Sequence, residues 1–255
     1  MKQEIFGLSL TELQIRLAEM GLKRFRAKQI FSWLYRKCVF DFSAMTNLSL
    51  AERDTLAEYF SILPGEIICL RQLDSADGLT QKLLLQLLDG NTIETVLMHH
   101  DYGYSVCVSS QVGCDMHCAF CASGLNGAVR NLTQTEILAQ VYFFNARLAA
   151  AGQRVSRVVV MGSGEPMLNF DNVFGALQFL HLPETANMSY RNMTVSTCGI
   201  IPGIERMQQL AAPINLAISL HAVQDELRTA LMPVNRGYPF PAVIAAAEDY
   251  ALHSG

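Results

Sequence analysis

The sequence predicts an α/β fold in which parallel strands alternate with covering helices, preceded by a small N-terminal helical domain and an antiparallel β extension. Three observations carry this. Apolar residues recur at helical spacing through the first sixty positions, strand-like runs follow between residues 65 and 110, and strand and helix patterns then alternate to the last residue. With 255 residues, 51% of them hydrophobic, the chain can bury one large core with a small appendage.

The segment LTELQIRLAEMGL sets Leu10, Leu13, Ile15, Leu17 and Met20 near helical spacing, with Ser9 or Thr11 as the cap and Gly21 as the stop. AKQIFSWLYRK and, after Ser49, AERDTLAEYF predict two more helices, which complete an expected helical domain over 1–62. The expected β extension, 63–102, holds EIICLRQL, TQKLLLQLL and NTIETVLMHH, separated by turn signals such as Asp77-Gly78 and Asp89-Gly90-Asn91. The third expected domain, 103–255, opens on YSVCVSS and continues through SRVVVMG, NMTVST and INLAISL, each followed by a helical run. Alternation of this kind places chemistry at the C-terminal ends of the strands.

Net charge is −4, which argues against a protein that coats nucleic acid indiscriminately, but its distribution is uneven. Residues 1–40 carry eight Lys or Arg against three Glu, a local +5 that leaves the remainder at −9. There Lys23, Arg24, Arg26, Lys28, Arg36 and Lys37 interleave with Phe25, Trp33 and Tyr35. Cations of this kind contact RNA phosphates, whereas the aromatics either stack on unpaired bases or pack in the core. The start MKQEIFGLSL has no apolar signal region, and no stretch is long and apolar enough to span a membrane. Seven cysteines, three of them clustered, fit a reducing cytoplasm better than a disulfide framework.

The clustered thiols are Cys114, Cys118 and Cys121, at C-x3-C-x2-C spacing. Thiols gathered on one turn read as ligands of a soft metal centre. A structural zinc site wants a fourth ligand, for which His117 is the local candidate, whereas an iron-sulfur cluster on three thiolates leaves one iron open. The residue count favours the cluster, with zinc and a plain reduced-thiol loop as alternatives. Further polar residues stand at strand ends. Gly162-Ser163-Gly164-Glu165-Pro166 offers small residues for close approach of a ligand and a carboxylate for a cationic amine, although such a sequence is often only a turn. Ser196 and the run Ser219-Leu220-His221 follow later strands. Glu94 is an acid inside an apolar strand, costly unless paired or functional. Cys107 reads in isolation as a small buried hydrophobe, as do Cys38 and Cys69. The adjacent His99 and His100 point to opposite faces of their strand and read as structural.

With Phe120 ahead of Cys121, the thiol loop resembles the cluster loop of radical S-adenosylmethionine (SAM) enzymes. SVCVSSQVGC, RNLTQTEILAQV, GSGEPMLN, VSTCGIIP and LAISLHA together resemble the RlmN/Cfr group of adenosine methyltransferases acting on ribosomal RNA. The resemblance runs from about residue 8 to the last. It implies a partial (βα)6 radical SAM barrel, a 4Fe-4S cluster on Cys114, Cys118 and Cys121, and SAM held by Gly164, Glu165, Ser196, Ser219, Leu220 and His221. It further implies Glu94 as general acid or base and Cys107 as the thiol that resolves a covalent enzyme-RNA adduct, while Cys198 stands where the family usually has Ser. The implied reaction is methylation of adenine C2 in 23S rRNA, with tRNA as a further candidate substrate and a flavodoxin-type electron donor. A C8-methylating enzyme of the Cfr type and a non-catalytic iron-sulfur or RNA-binding remnant are the alternatives.

The family's methyl-carrying cysteine lies C-terminal to these motifs, and no cysteine follows Cys198. About four of the six implied barrel strands are written. We therefore expect a piece of a longer chain, and expect these residues alone to bind cluster and SAM without completing C2 methylation.

Overall fold

The protein is described by a computed structural model over residues 2–254; Met1 and Gly255, the outer limits of the first and third expected domains, lie outside the described residues. The chain opens on a two-residue strand, β1 (Gln3–Glu4). Helix α1 (Leu10–Glu19) starts at Ser9, whose hydroxyl accepts the Glu12 N–H while the Glu12 carboxylate accepts the Ser9 N–H. Two donors that the first turn leaves open are thereby satisfied. Gly21, at φ +75°, lets the chain leave the helix through a left-handed conformation. Leu13 and Leu17 face the core, whereas Ile15 lies on the solvent side. The second helix, α2 (Arg26–Phe31), widens into a π-helical turn over Ser32–Arg36. Ser49 and Glu52 cap α3 (Leu50–Tyr59) by the same reciprocal bonds, after which β2 (Phe60–Ser61) pairs in parallel with β1 and the single turn α4 (Leu63–Glu66) leads out.

The aromatics of this module divide by role. Tyr35 is core: its ring packs against Phe31 at 4.7 Å, Phe179 at 5.1 Å, Phe6 at 5.2 Å and Tyr142 at 5.3 Å, and its hydroxyl accepts the Gly7 N–H. Because Tyr142 and Phe179 belong to later helices, this cluster joins the module to the rest of the molecule. The Trp33 indole N–H donates to Asn47 at 2.6 Å. Phe25 alone of the three is largely exposed. Among the cations, Arg26 is taken out of the free set by Glu52, 2.8 Å away.

The extension is formed by β3 (Ile68–Asp74), β4 (Thr80–Gln86) and β5 (Thr92–His100), followed by β6 (Gly103–Val108). A short ribbon, β7 (Gln111–Gly113) with β8 (Ala128–Asn131), brackets the thiol loop. Then come α5 (Gln134–Ala149), β9 (Val155–Val160), α6 (Phe170–His181), β10 (Met193–Thr197), α7 (Ile201–Gln209), β11 (Asn215–Ile218), α8 (Asp225–Leu231) and α9 (Phe240–Ser254). One seven-stranded sheet results, in the order β11-β10-β9-β6-β5-β4-β3. Its first four members run parallel, as a strand-helix alternation requires, and the last three are antiparallel.

The sheet has two unlike faces. Val106, Val108, Val158, Val160 and Val195 are buried in the same core as Leu138, Val141, Phe144, Phe174 and Leu177 of α5 and α6. On the other face Val96, Cys107 and Val159 lie side by side in register. Glu94 belongs to this second face, two residues before Val96. Its neighbours Ile93 and Thr95 are buried, but the Glu94 side chain is 52% exposed and sits 2.9 Å from Lys82. The penalty expected for an acid in an apolar strand therefore does not arise, because alternation turns it away from the core. His99 and His100 stack separately on Tyr104 and Tyr102. Among the described residues, no helix is long and apolar enough to cross a membrane.

Candidate active site

The parallel strands β6, β9, β10 and β11 end at one edge of the sheet, and the loops that follow them enclose a cavity of about 270 Å³. Cys114, Cys118, Cys121, Gly164, Glu165, Ser196, Ser219 and His221 all line it. Of the site residues that the resemblance implies, Glu94, Cys107 and Leu220 do not.

The ribbon shapes the thiol loop. Cys114 N–H donates to the Gly127 carbonyl at 3.2 Å, and the Asp115 carboxylate accepts the Ala128 N–H at 2.6 Å. Gly113 has φ +78°, and a Cβ there would stand 2.0 Å from the Gly127 oxygen, so no other residue fits. All seven cysteines are free thiols. Burial pushes the Cys114 and Cys118 thiols above the usual range, a tendency that cationic iron would oppose. His117 does not line the cavity.

Glu165 is almost fully buried, and its carboxylate is already engaged: Oε2 accepts the Cys198 N–H at 2.8 Å and Oε1 the Met167 N–H at 3.1 Å. Each oxygen retains a further lone pair for a cation. The glycines before it line the cavity and are also required by packing. A Cβ on Gly162 would meet Ser109 Oγ at 2.6 Å, and one on Gly164, at φ +103°, would meet Gln111 Cβ at 2.6 Å. The turn is thus pressed against the chain leaving β6, which adds a packing reason for small residues to the close approach of a ligand that the sequence suggests. Ser196 and Ser219 bring their hydroxyls within 3.1 Å of each other. His221 adopts φ +59°, a conformation that costs a non-glycine residue on the order of 1 kcal/mol, with its ring 4.4 Å from that of Phe120.

Cys107 and Glu94 stand beside this cavity. Burial raises the Cys107 pKa, partly offset by a bond from the N–H of Met161, a cavity residue. The Glu94 carbonyl accepts Ser109 Oγ at 2.7 Å, and that hydroxyl accepts the Ser163 N–H at 3.0 Å. Leu220 contributes its carbonyl, not its side chain, to the site's framework. That carbonyl accepts Nε of Arg228 at 3.2 Å, while Nη2 donates to the Cys198 carbonyl at 2.7 Å and Nη1 to Asn235 Oδ1 at 2.5 Å.

Arg228 is a residue that sequence reasoning missed. It is completely buried, and among the described residues it has no carboxylate partner. The helix that carries it also takes the Ala119 N–H on the Leu231 carbonyl, so α8 ties the thiol loop to the loops after β10 and β11. In the sequence, DELRTALM resembles any amphipathic helix with a solvated arginine; no local signal marks this one.

The donor set fits a cluster with SAM. The three loop thiols share one cavity with the Cys198 thiol, the Glu165 carboxylate and the hydroxyls of Ser123, Ser196 and Ser219. Among the described residues, no three His, Cys, Asp or Glu side chains converge closely enough to hold a single ion. A closed zinc site needs that convergence, whereas thiolates serving separate irons of a cubane do not.

Comparison with known proteins gives concordant results. The family model of the ribosomal RNA large subunit methyltransferase N-terminal domain matches residues 3–62, and that of the radical SAM superfamily matches 108–253. A probable dual-specificity RNA methyltransferase RlmN of Symbiobacterium thermophilum is 47% identical over 256 residues, covering 100% of this chain and 68% of the relative. The protein of the same description from Staphylococcus aureus is 47% identical, covering 98% of this chain and 68% of that protein. A crystal structure of a radical SAM methyltransferase from Sphaerobacter thermophilus superposes with a TM-score of 0.93 at 42% identity, over 99% of this chain and 74% of the other.

Proposed function

This chain belongs to the RlmN family of radical SAM enzymes, and from that premise we propose that it methylates C2 of adenosine in 23S ribosomal RNA, with tRNA as a second substrate. The observation that carries the reading is the single cavity shared by Cys114, Cys118, Cys121, Glu165, Ser196, Ser219 and His221. Radical SAM chemistry uses a 4Fe-4S cluster and SAM, which when bound supply the reductive cleavage and the methyl group.

The chain's own residues then have separable tasks. Cys114, Cys118 and Cys121 hold the cluster. Gly164 and Glu165 receive the amino group of SAM, the carboxylate kept in place by the N–H groups of Cys198 and Met167. Ser196, Ser219, Leu220 and His221 supply the remaining contacts, with Arg228 bracing the loops on which they stand. Glu94, on the second face of the sheet and 2.9 Å from Lys82, serves as general acid or base. Cys107, on the same face, would offer the thiol that resolves an enzyme-RNA adduct by forming a disulfide with the family's methyl-carrying cysteine, which lies C-terminal to the motifs of this chain. The adenine has to leave its stack to reach this face, so looped or locally opened RNA is preferred.

The domain limits follow the same reading: 1–62 as an RNA-binding module, 63–102 as the β extension and 103–255 as the partial barrel. Lys23, Arg24, Phe25 and Lys28 of the module are exposed and suit RNA contact. The electron donor is of the flavodoxin type, and the place of action is the cytoplasm. Anaerobic reconstitution with iron and sulfide, then dithionite and SAM, tests the reading. A full 4Fe-4S complement with 5′-deoxyadenosine released supports it; stoichiometric zinc, or no iron, overturns it.

A further inference from the structure

A second cavity, of about 340 Å³, lies at the seam between the helical module and the barrel, and its polar lining is unusual. The module contributes Arg36 and Lys37, and the loop before β9 contributes Arg154. None of the lining residues is acidic, and among the described residues none of these three cations is in an ion pair. Arg36 is anchored on the Pro183 carbonyl, and the Lys37 ammonium lies 3.4 Å from the centre of the Trp33 ring. Cations gathered without counter-charge repel one another, and an anion among them relieves that repulsion.

The lining residue Asn145 gives an independent indication. It is 6% exposed, and its Oδ1 accepts the Val155 N–H at 2.8 Å, which fixes the orientation of the amide. Its Nδ2 then has no hydrogen-bond partner among the described residues, yet it is not among the sealed, unsatisfied atoms. The remaining opening next to it is this cavity. A buried amide donor and three cations, with Lys37 and the arginines presenting only donors, suit oxygens that accept from several sides, as phosphate does.

We propose that this seam binds a backbone phosphate of the RNA substrate, clamping module and barrel together on it. The proposal rests on the RNA methyltransferase reading and adds a contact far from the chemistry. Val155, which lines the seam, begins β9, and the other end of that strand, Val160 and Met161, lines the thiol cavity. Six steps at about 3.3 Å separate the two by roughly 20 Å. An RNA that presents its adenine at one end and a phosphate at the other must run along the side of the barrel. Folded RNA meets that requirement, and a very short oligonucleotide does not.

The test is the salt dependence of RNA binding by the intact chain, measured by fluorescence anisotropy with a folded ribosomal RNA hairpin across a KCl series. Arg36→Gln, Lys37→Gln and Arg154→Gln should each flatten the slope of log affinity against log salt by about 0.7 to 0.9. Asn145→Asp, which keeps the acceptor for Val155 while replacing the donor with an anion, should weaken binding in the same direction. Iron content and SAM binding of all four should match the parent. Unchanged slopes for Arg154→Gln and Asn145→Asp, with the parent still binding, would overturn the seam site alone. Inorganic phosphate that binds the parent and not Arg154→Gln, without any change in RNA slope, would also overturn it, as a site for a small free anion. A parent protein that binds no RNA overturns the substrate reading itself.

Discussion

The Glu165 carboxylate accepts the backbone N–H of Cys198 at 2.8 Å, linking the turn after β9 to the turn after β10 across the mouth of the thiol cavity. Its second oxygen accepts the Met167 N–H, so the side chain organises backbone on both sides. Glu165→Gln keeps the size but can accept on only one atom, leaving a buried N–H against an NH2 group. Hydrogen bonds to charged groups are worth about 1.5 to 3 kcal/mol. We expect a loss of that order in unfolding free energy and at least tenfold weaker SAM binding by equilibrium dialysis.

Four thiols line the cavity, but they are not equivalent in our reading. Ala in place of Cys114, Cys118 or Cys121 should abolish iron retention after anaerobic reconstitution. Cys198→Ser should keep a full complement, because only the Cys198 backbone bonds to Glu165 and Arg228 are needed there. Loss of iron in Cys198→Ser would place the fourth thiol among the ligands.

Arg228 is completely buried and donates to the carbonyls of Cys198 and Leu220 and to Asn235. Arg228→Met leaves these acceptors unpaired, each at about 1 to 3 kcal/mol. Urea denaturation should show a loss of several kcal/mol. Arg228→Lys should recover only part of it, since one ammonium cannot reproduce the planar fork.

Burial raises the Cys107 pKa, so its thiolate fraction near neutral pH lies below that of an exposed cysteine. Alkylation of the Cys107 peptide by iodoacetamide, followed by mass spectrometry, should be slow at pH 7 and should accelerate through a midpoint above the usual cysteine value. Cys107→Ser should keep iron and SAM binding at the level of the parent. A Cys107 that alkylates as fast as a free thiol at pH 7 contradicts this picture.

The Lys82–Glu94 pair is about half exposed on both sides and contributes at most about 1 kcal/mol. Glu94→Gln should therefore leave the thermal midpoint nearly unchanged. If Glu94 acts as acid or base, turnover on RNA by a longer chain that includes the family's methyl-carrying cysteine falls steeply in the same variant, with SAM affinity intact. Turnover equal to the parent would remove Glu94 from the chemistry.

What the sequence determined by itself is what short reach along the chain encodes. Ser9 with Glu12 and Ser49 with Glu52 announce helix starts because a cap and its partner are three residues apart. Alternation made the strands legible, and three thiols within eight residues marked the metal loop because their spacing is itself the signal. Tertiary structure decided everything that depends on partners distant in the chain. It buried Arg228 among neutral carbonyls, turned Glu94 outward beside Lys82, and withdrew Arg26 to Glu52 and Tyr35 to the core. It also brought Arg154 to Arg36 and Lys37 at the seam, and pressed Gly162 and Gly164 against Ser109 and Gln111. A residue type states which bonds a side chain can make, whereas its burial and neighbours arise only when separate segments pack, and those decide which of the bonds it makes.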